Sequence, residues 1–95
     1  MAAMKRIHIY ISGKVQGVWL RACAQQVAID SNLTGWIRNL RDSRVEIVAE
    51  GDETALIELA EWCKEGSDQA SVSDVAFEWE DPTFEFTAFL TAETA

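Results

Sequence analysis

The order strand, helix, strand, strand, helix, strand predicts an α+β chain: a ferredoxin-like βαββαβ two-layer sandwich whose antiparallel sheet carries both helices on one face. Three observations carry the prediction. Apolar residues alternate at period two in several short runs, they recur at helical spacing in a longer one, and only three residues separate the two middle strands. Ninety-five residues, 48% of them hydrophobic, suffice for one core, so residues 1–95 are expected to form a single domain.

Each element has its own signature. In "KRIHIYIS", Lys5–Ser12, the residues Ile7, Ile9 and Ile11 take one face while His8 and Tyr10 take the other, as in a half-buried strand. "RACAQQVAIDS", Arg21–Ser31, contains no Gly or Pro and reads as a helix, with Asn32 suited to a left-handed cap. "LTGWIRNL", Leu33–Leu40, and "RVEIVAEG", Arg44–Gly51, flank "RDS" and make a hairpin. Asp52 caps the second helix, Glu53–Glu65, in which Leu56, Leu59, Ala60 and Cys63 share one face while Glu58, Glu61 and Glu65 face water; Gly66 closes it. "VSDVAFEWE", Val72–Glu80, alternates through Val75, Phe77 and Trp79. Pro82 then interrupts, and "FEFTAFL", Phe84–Leu90, reads as a last short or edge strand.

Composition narrows the function. A net charge of −8 argues against nucleic acid and anionic membrane as partners, and there is neither an eighteen-residue apolar run nor a secretory leader, so a cytoplasmic protein is expected. The charge is unevenly spread. Residues 1–45 hold seven Lys and Arg against two acids, net +5, whereas the remainder holds Lys64 against fourteen acids, net −13. Cys23 and Cys63 are read as buried thiols in a reducing compartment; a disulfide between the two helices is the alternative. His8 is the one histidine and lies mid-strand, far from either cysteine, so nucleophilic triads find no support. The carboxylates form no cluster at ligand spacing, so neither a metal nor any other cofactor is expected.

What remains is the loop "GKVQGVWLR", Gly13–Arg21, between the first strand and the first helix. A glycine-containing turn entering a helix can aim successive backbone N–H groups at one spot beside the positive end of the helix dipole, which suits a phosphate. It is not a Walker A loop, because no Lys-Ser/Thr pair follows Gly17. Arg21 is locally unfavourable there. A cation in the first helical turn costs about 0.3–1 kcal/mol, whereas a bound dianion would reverse that sign.

Two stretches, "GKVQGVWLR" and "GWIRNLRDSRVE", resemble the paired motifs of the acylphosphatase family, and the similarity extends over nearly the whole chain. The resemblance implies that Gln16, Gly17, Val18, Trp19, Leu20 and Arg21 form a phosphate loop through their backbone N–H groups. It further implies that the Arg21 guanidinium holds the phosphoryl oxygens and that Asn39 orients an attacking water. The implied activity is hydrolysis of small acyl phosphates to a carboxylate and inorganic phosphate by direct water attack, without a metal, in a monomer.

Four positions depart from the family pattern: Leu20 for an aromatic, Ala24 for a threonine, Ser31 for a leucine and Ser43 for a turn glycine. Leu20 and Ala24 leave open an anion-binding module that turns over slowly or not at all. An RNA-recognition domain of the same topology would use Tyr10 and Trp36, against which the pI near 4.4 argues.

Overall fold

A computed structural model describes residues 4–95. Its elements are β1 (Met4–Lys14), α1 (Leu20–Asp30), β2 (Thr34–Asn39), β3 (Val45–Asp52), α2 (Glu53–Glu65), β4 (Ser71–Glu80) and β5 (Phe89–Thr91). They form one sheet in the order β4-β1-β3-β2-β5, with α1 packed over β2 and β5 and α2 over β4, β1 and β3.

The alternation in β1 decides which face becomes core. Ile7, Ile9 and Ile11 are fully buried and lie opposite Ala49, Ile47 and Val45 of β3, so three layers of side chains meet beneath the helices. Leu20, Ala24 and Ala28 of α1 and Leu56, Leu59, Ala60 and Cys63 of α2 close the cluster from above. Burying each large aliphatic side chain contributes about 1.5–3 kcal/mol. The α2 caps follow the sequence: Asp52 Oδ1 accepts from Thr54 N at 3.2 Å, and Gly66 ends the helix with φ 72°. Asn32 takes the left-handed conformation after α1, φ 59°. The helix itself runs one residue earlier than expected at both ends.

Two expectations need correction. The sheet is mixed, because β5 pairs parallel to β2 at the edge. Of "FEFTAFL" only Phe89 and Leu90 are strand, the start of β5; the preceding residues cross the sheet as a strap. Glu50 holds that strap by accepting from Thr83 N at 2.8 Å and Phe84 N at 3.0 Å, and Phe84 is left-handed, φ 58°, which no strand tolerates. Phe77 and Trp79 do face the same side as Ile9 and Ile7, but β4 is an edge strand and they stay 46% and 41% exposed.

On the opposite face β3 buries two carboxylates, Glu46 and Glu50. Glu46 meets His8 Nε2 at 2.6 Å and Arg38 Nε at 2.7 Å; Arg6 approaches Glu50 at 3.5 Å. Burial pushes both carboxyls up, but these hydrogen bonds outweigh it and hold both below the ordinary glutamate range.

The β2–β3 turn keeps its left-handed geometry without a glycine. Leu40 N donates to Arg44 O at 2.8 Å and Ser43 N to Leu40 O at 3.1 Å, a three-residue loop whose last member, Ser43, sits at φ 83°. A non-glycine residue there costs on the order of 1 kcal/mol. Ser43→Gly is therefore expected to raise the thermal midpoint by about 4–8 °C, measured by calorimetry; an unchanged or lower midpoint would show that the turn stores no strain.

Candidate active site

The loop between β1 and α1 answers to its two glycines differently. Gly13, φ 119°, sits at the register shift of β1 against β4, where a Cβ would come within 2.3 Å of Ser71 O. Gly17, φ 72°, has open space around it, so its role is conformational. Trp19 is also left-handed, φ 64°, while Val18 between them is not. Alternation of handedness of this kind can turn successive N–H groups toward one side, a geometry suited to an anion.

The start of α1 is bare. Trp19 supplies no side-chain cap, no acid lies in the first turn, and the first amide satisfied across the turn is Cys23 N, 3.0 Å from Trp19 O. The amides before it have no helical partner. The contrast with α2, capped by Asp52 and carrying Glu53, is chemical: one N-terminus is neutralised by the protein and the other is left positive. Arg21 adds to that charge. Among the described residues no carboxylate lies within ion-pairing distance of it, although Arg6, Arg38 and Arg44 are each paired.

Asn39 arrives from the other side, as the last residue of β2. Its Oδ1 is shielded from solvent and accepts no hydrogen bond from the described residues. A buried acceptor without a donor costs about 1–3 kcal/mol and is uncommon enough to require a reason. The Gln16 side chain holds the two sides together: its Nε2 donates to Leu40 O at 2.7 Å and to Arg44 O at 2.9 Å, next to Asn39 in chain and space.

The result is a cavity of about 420 Å³ lined by Gln16, Gly17, Trp19, Leu20, Arg21 and Asn39, with Val15, Ala22, Gln25 and Thr91 completing the wall. Six of the seven residues singled out from the sequence thus share one cavity. Val18 does not line it; its side chain is buried and its carbonyl accepts a hydrogen bond from Ser67 Oγ. Gln25 was not anticipated, although it stands one helical turn beyond Arg21 and is a predictable neighbour. Its Nε2 donates to Phe89 O at 3.0 Å, tying α1 to β5. Thr91 reaches the cavity only because β5 pairs with β2, which no local pattern signals.

The acylphosphatase family model matches residues 7–91. The chain belongs to the acylphosphatase family. It is 52% identical over 88 residues to an acylphosphatase of Marinobacter nauticus, covering 93% of this chain and 96% of that one. Its fold matches the crystal structure of the acylphosphatase from Bacillus subtilis with a TM-score of 0.89 at 34% identity, covering 95% of this chain and 99% of that one. An acylphosphatase from Coxiella burnetii matches with a TM-score of 0.86 at 38% identity, covering 94% and 93%.

Of the four departures from the family pattern only Leu20 lines the cavity. Ala24 is fully buried in the core and does not line the site. Leu20 does line it and is 1% exposed, with its Cδ1 close against Gly66, so the smaller side chain is packed. Ser31 is the C-terminal cap of α1 and half-buried. The cysteines split: Cys63 is buried as expected, Cys23 is exposed instead, and both are free, so the inter-helix disulfide is absent. On the open sheet face the Tyr10 and Trp36 rings are covered by Arg44 and Arg38 at 4.7 and 4.6 Å, which leaves no bare platform for base stacking.

Arg21→Ala should separate the two sides of this electrostatic balance. Without ligand it should raise stability by about 0.3–1 kcal/mol, and it should weaken inorganic phosphate binding by at least about tenfold. Thermal melts with and without phosphate read both, and equal phosphate affinity in the two proteins would contradict the place given to Arg21.

Proposed function

We propose that this chain hydrolyses small acyl phosphates, releasing a carboxylate and inorganic phosphate, with the cavity at the start of α1 as its active site. One observation carries the reading: an unpaired arginine at an uncapped helix N-terminus shares a cavity with a shielded, unpartnered asparagine oxygen. The first attracts a dianion. The second requires a donor, and a water molecule beside the phosphoryl group is one.

Chemistry assigns the roles. The phosphoryl group rests in the loop, where the N–H groups of Gln16 to Arg21 and the Arg21 guanidinium take up charge on its oxygens. Asn39 Oδ1 accepts from the attacking water and fixes its lone pair toward phosphorus, which converts a chance encounter into a positioned one. The P–O bond to the acyl group breaks as the new P–O bond forms, and the electron pair leaves on a carboxylate. That leaving group is stable at neutral pH, so no general acid is needed. The water's proton passes to a phosphoryl oxygen, giving a carboxylate and dihydrogen phosphate.

The same reading takes residues 1–95 as one functional domain acting as a monomer on a small substrate, with inorganic phosphate as the product ligand. A cytoplasmic location is supported by the two free cysteines. Among the described residues no helix is long and apolar enough to cross a membrane.

The test is hydrolysis of benzoyl phosphate followed by ultraviolet absorbance with a chelator present. Wild type should turn over, and Asn39→Ala should lose at least about a hundredfold in kcat while keeping phosphate affinity. Phosphate binding without any turnover by wild type would instead support the anion-binding module.

A further inference from the structure

We propose that the groove on the far side of Trp19 receives the acyl group of the substrate and selects neutral, apolar acyl phosphates over anionic ones. The inference rests on the phosphatase reading and adds its substrate class. In-line displacement puts the attacking water and the leaving oxygen on opposite sides of phosphorus. Asn39 belongs to the hairpin side of the cavity, where Gln16 is tied to Leu40 and Arg44, so the acyl group leaves away from that hairpin.

A groove of about 490 Å³, lined by Val18, Trp19, Cys23, Val27 and Trp62 among others and by no residue of the hairpin, adjoins the cavity at Trp19. Trp19 lines both cavities and forms the wall between them. It is 72% exposed, so the core does not use its side chain, and its left-handed backbone holds it outward. A large aromatic surface held in water at the rim of a reaction site gains free energy when an apolar group covers it. Val27 and Trp62 are half-buried and packed against the core, which gives the groove a rigid floor. The volume falls in the range of small-ligand sites and accommodates an aryl or branched acyl group.

Charge completes the selection. Asp30 and Asp68 stand on the groove wall, and no Lys or Arg does. A second carboxylate on the acyl group would meet two like charges there, with no cation on the groove wall to offset them. Contact with the unreactive part of the substrate can be used to hold the phosphoryl group in register with the loop.

The test fills the groove without touching the phosphate cavity. Cys23 is exposed on α1 and lines only the groove, so Cys23→Trp should fold normally. Alkylating Cys23 of the wild-type protein with a benzyl maleimide provides a second block, since Cys63 is buried and its thiol is pushed up to about 12 by burial. Both blocks should lower kcat/KM for benzoyl phosphate by about tenfold. Both should leave acetyl phosphate hydrolysis and inhibition by inorganic phosphate unchanged. Equal losses for the two substrates, or no loss for benzoyl phosphate, would overturn the groove's role. Failure of the unmodified protein to hydrolyse acetyl phosphate would overturn the phosphatase reading itself and the inference with it.

Discussion

The pair of hydrogen bonds from the Gln16 amide to Leu40 O and Arg44 O sets the distance on which the site depends. The phosphate loop belongs to the β1–α1 connection and Asn39 to the end of β2, so nothing in local sequence relates them. Gln16 spans the gap with one side chain. On its other flank Asn39 is held by the chain beyond β5: Ala95 N donates to Asn39 O at 3.1 Å, and Arg41 N donates to Ala95 O at 2.8 Å. A reacting group displaced by an ångström loses much of its effect, which gives these backbone contacts functional weight.

The site concentrates features that folding alone would not select. Trp19 is left-handed and exposed, Arg21 opposes the helix dipole, α1 lacks a cap, and Asn39 Oδ1 lacks a donor. Arg21, the bare helix start and the unpartnered Asn39 oxygen are each unfavourable in the free protein, and a hydrated dianion in the cavity would offset all three. The second helix shows the opposite choice at every position, with a capping aspartate, an acid in its first turn, a lysine in its last and a glycine at its end. Stability is thus supplied by α2 and the aliphatic layers of β1 and β3, and α1 is left free to carry charge conflict.

Much of this was legible in the sequence because the signals are local. Period-two isoleucines, the Asp52 cap and the Gly66 stop act within a few residues, and α2 begins and ends where they indicate. The loop was legible as an anion-binding turn from its glycines and Arg21, whereas Asn39 was legible only through the family resemblance. What escaped depends on residues far apart in the chain. Glu46 and Glu50 look solvent-facing in an alternating strand, yet His8, Arg38 and the strap at Thr83 and Phe84 enclose them. The parallel pairing of β5 follows from where that strap delivers the chain, and with it come Thr91 and the Gln25 contact. Ser43 kept the turn that its side chain disfavours, because the hydrogen bonds of the hairpin outweigh about 1 kcal/mol of strain.

The central claim is that water attacks phosphorus, guided by Asn39, while the Arg21 loop holds the phosphoryl group. Hydrolysis of benzoyl phosphate in ¹⁸O-labelled water, with mass analysis of both products, tests it most directly. The account predicts label in the inorganic phosphate and none in benzoate. Label in the benzoate would place the attack on the acyl carbon and contradict the roles given to both residues.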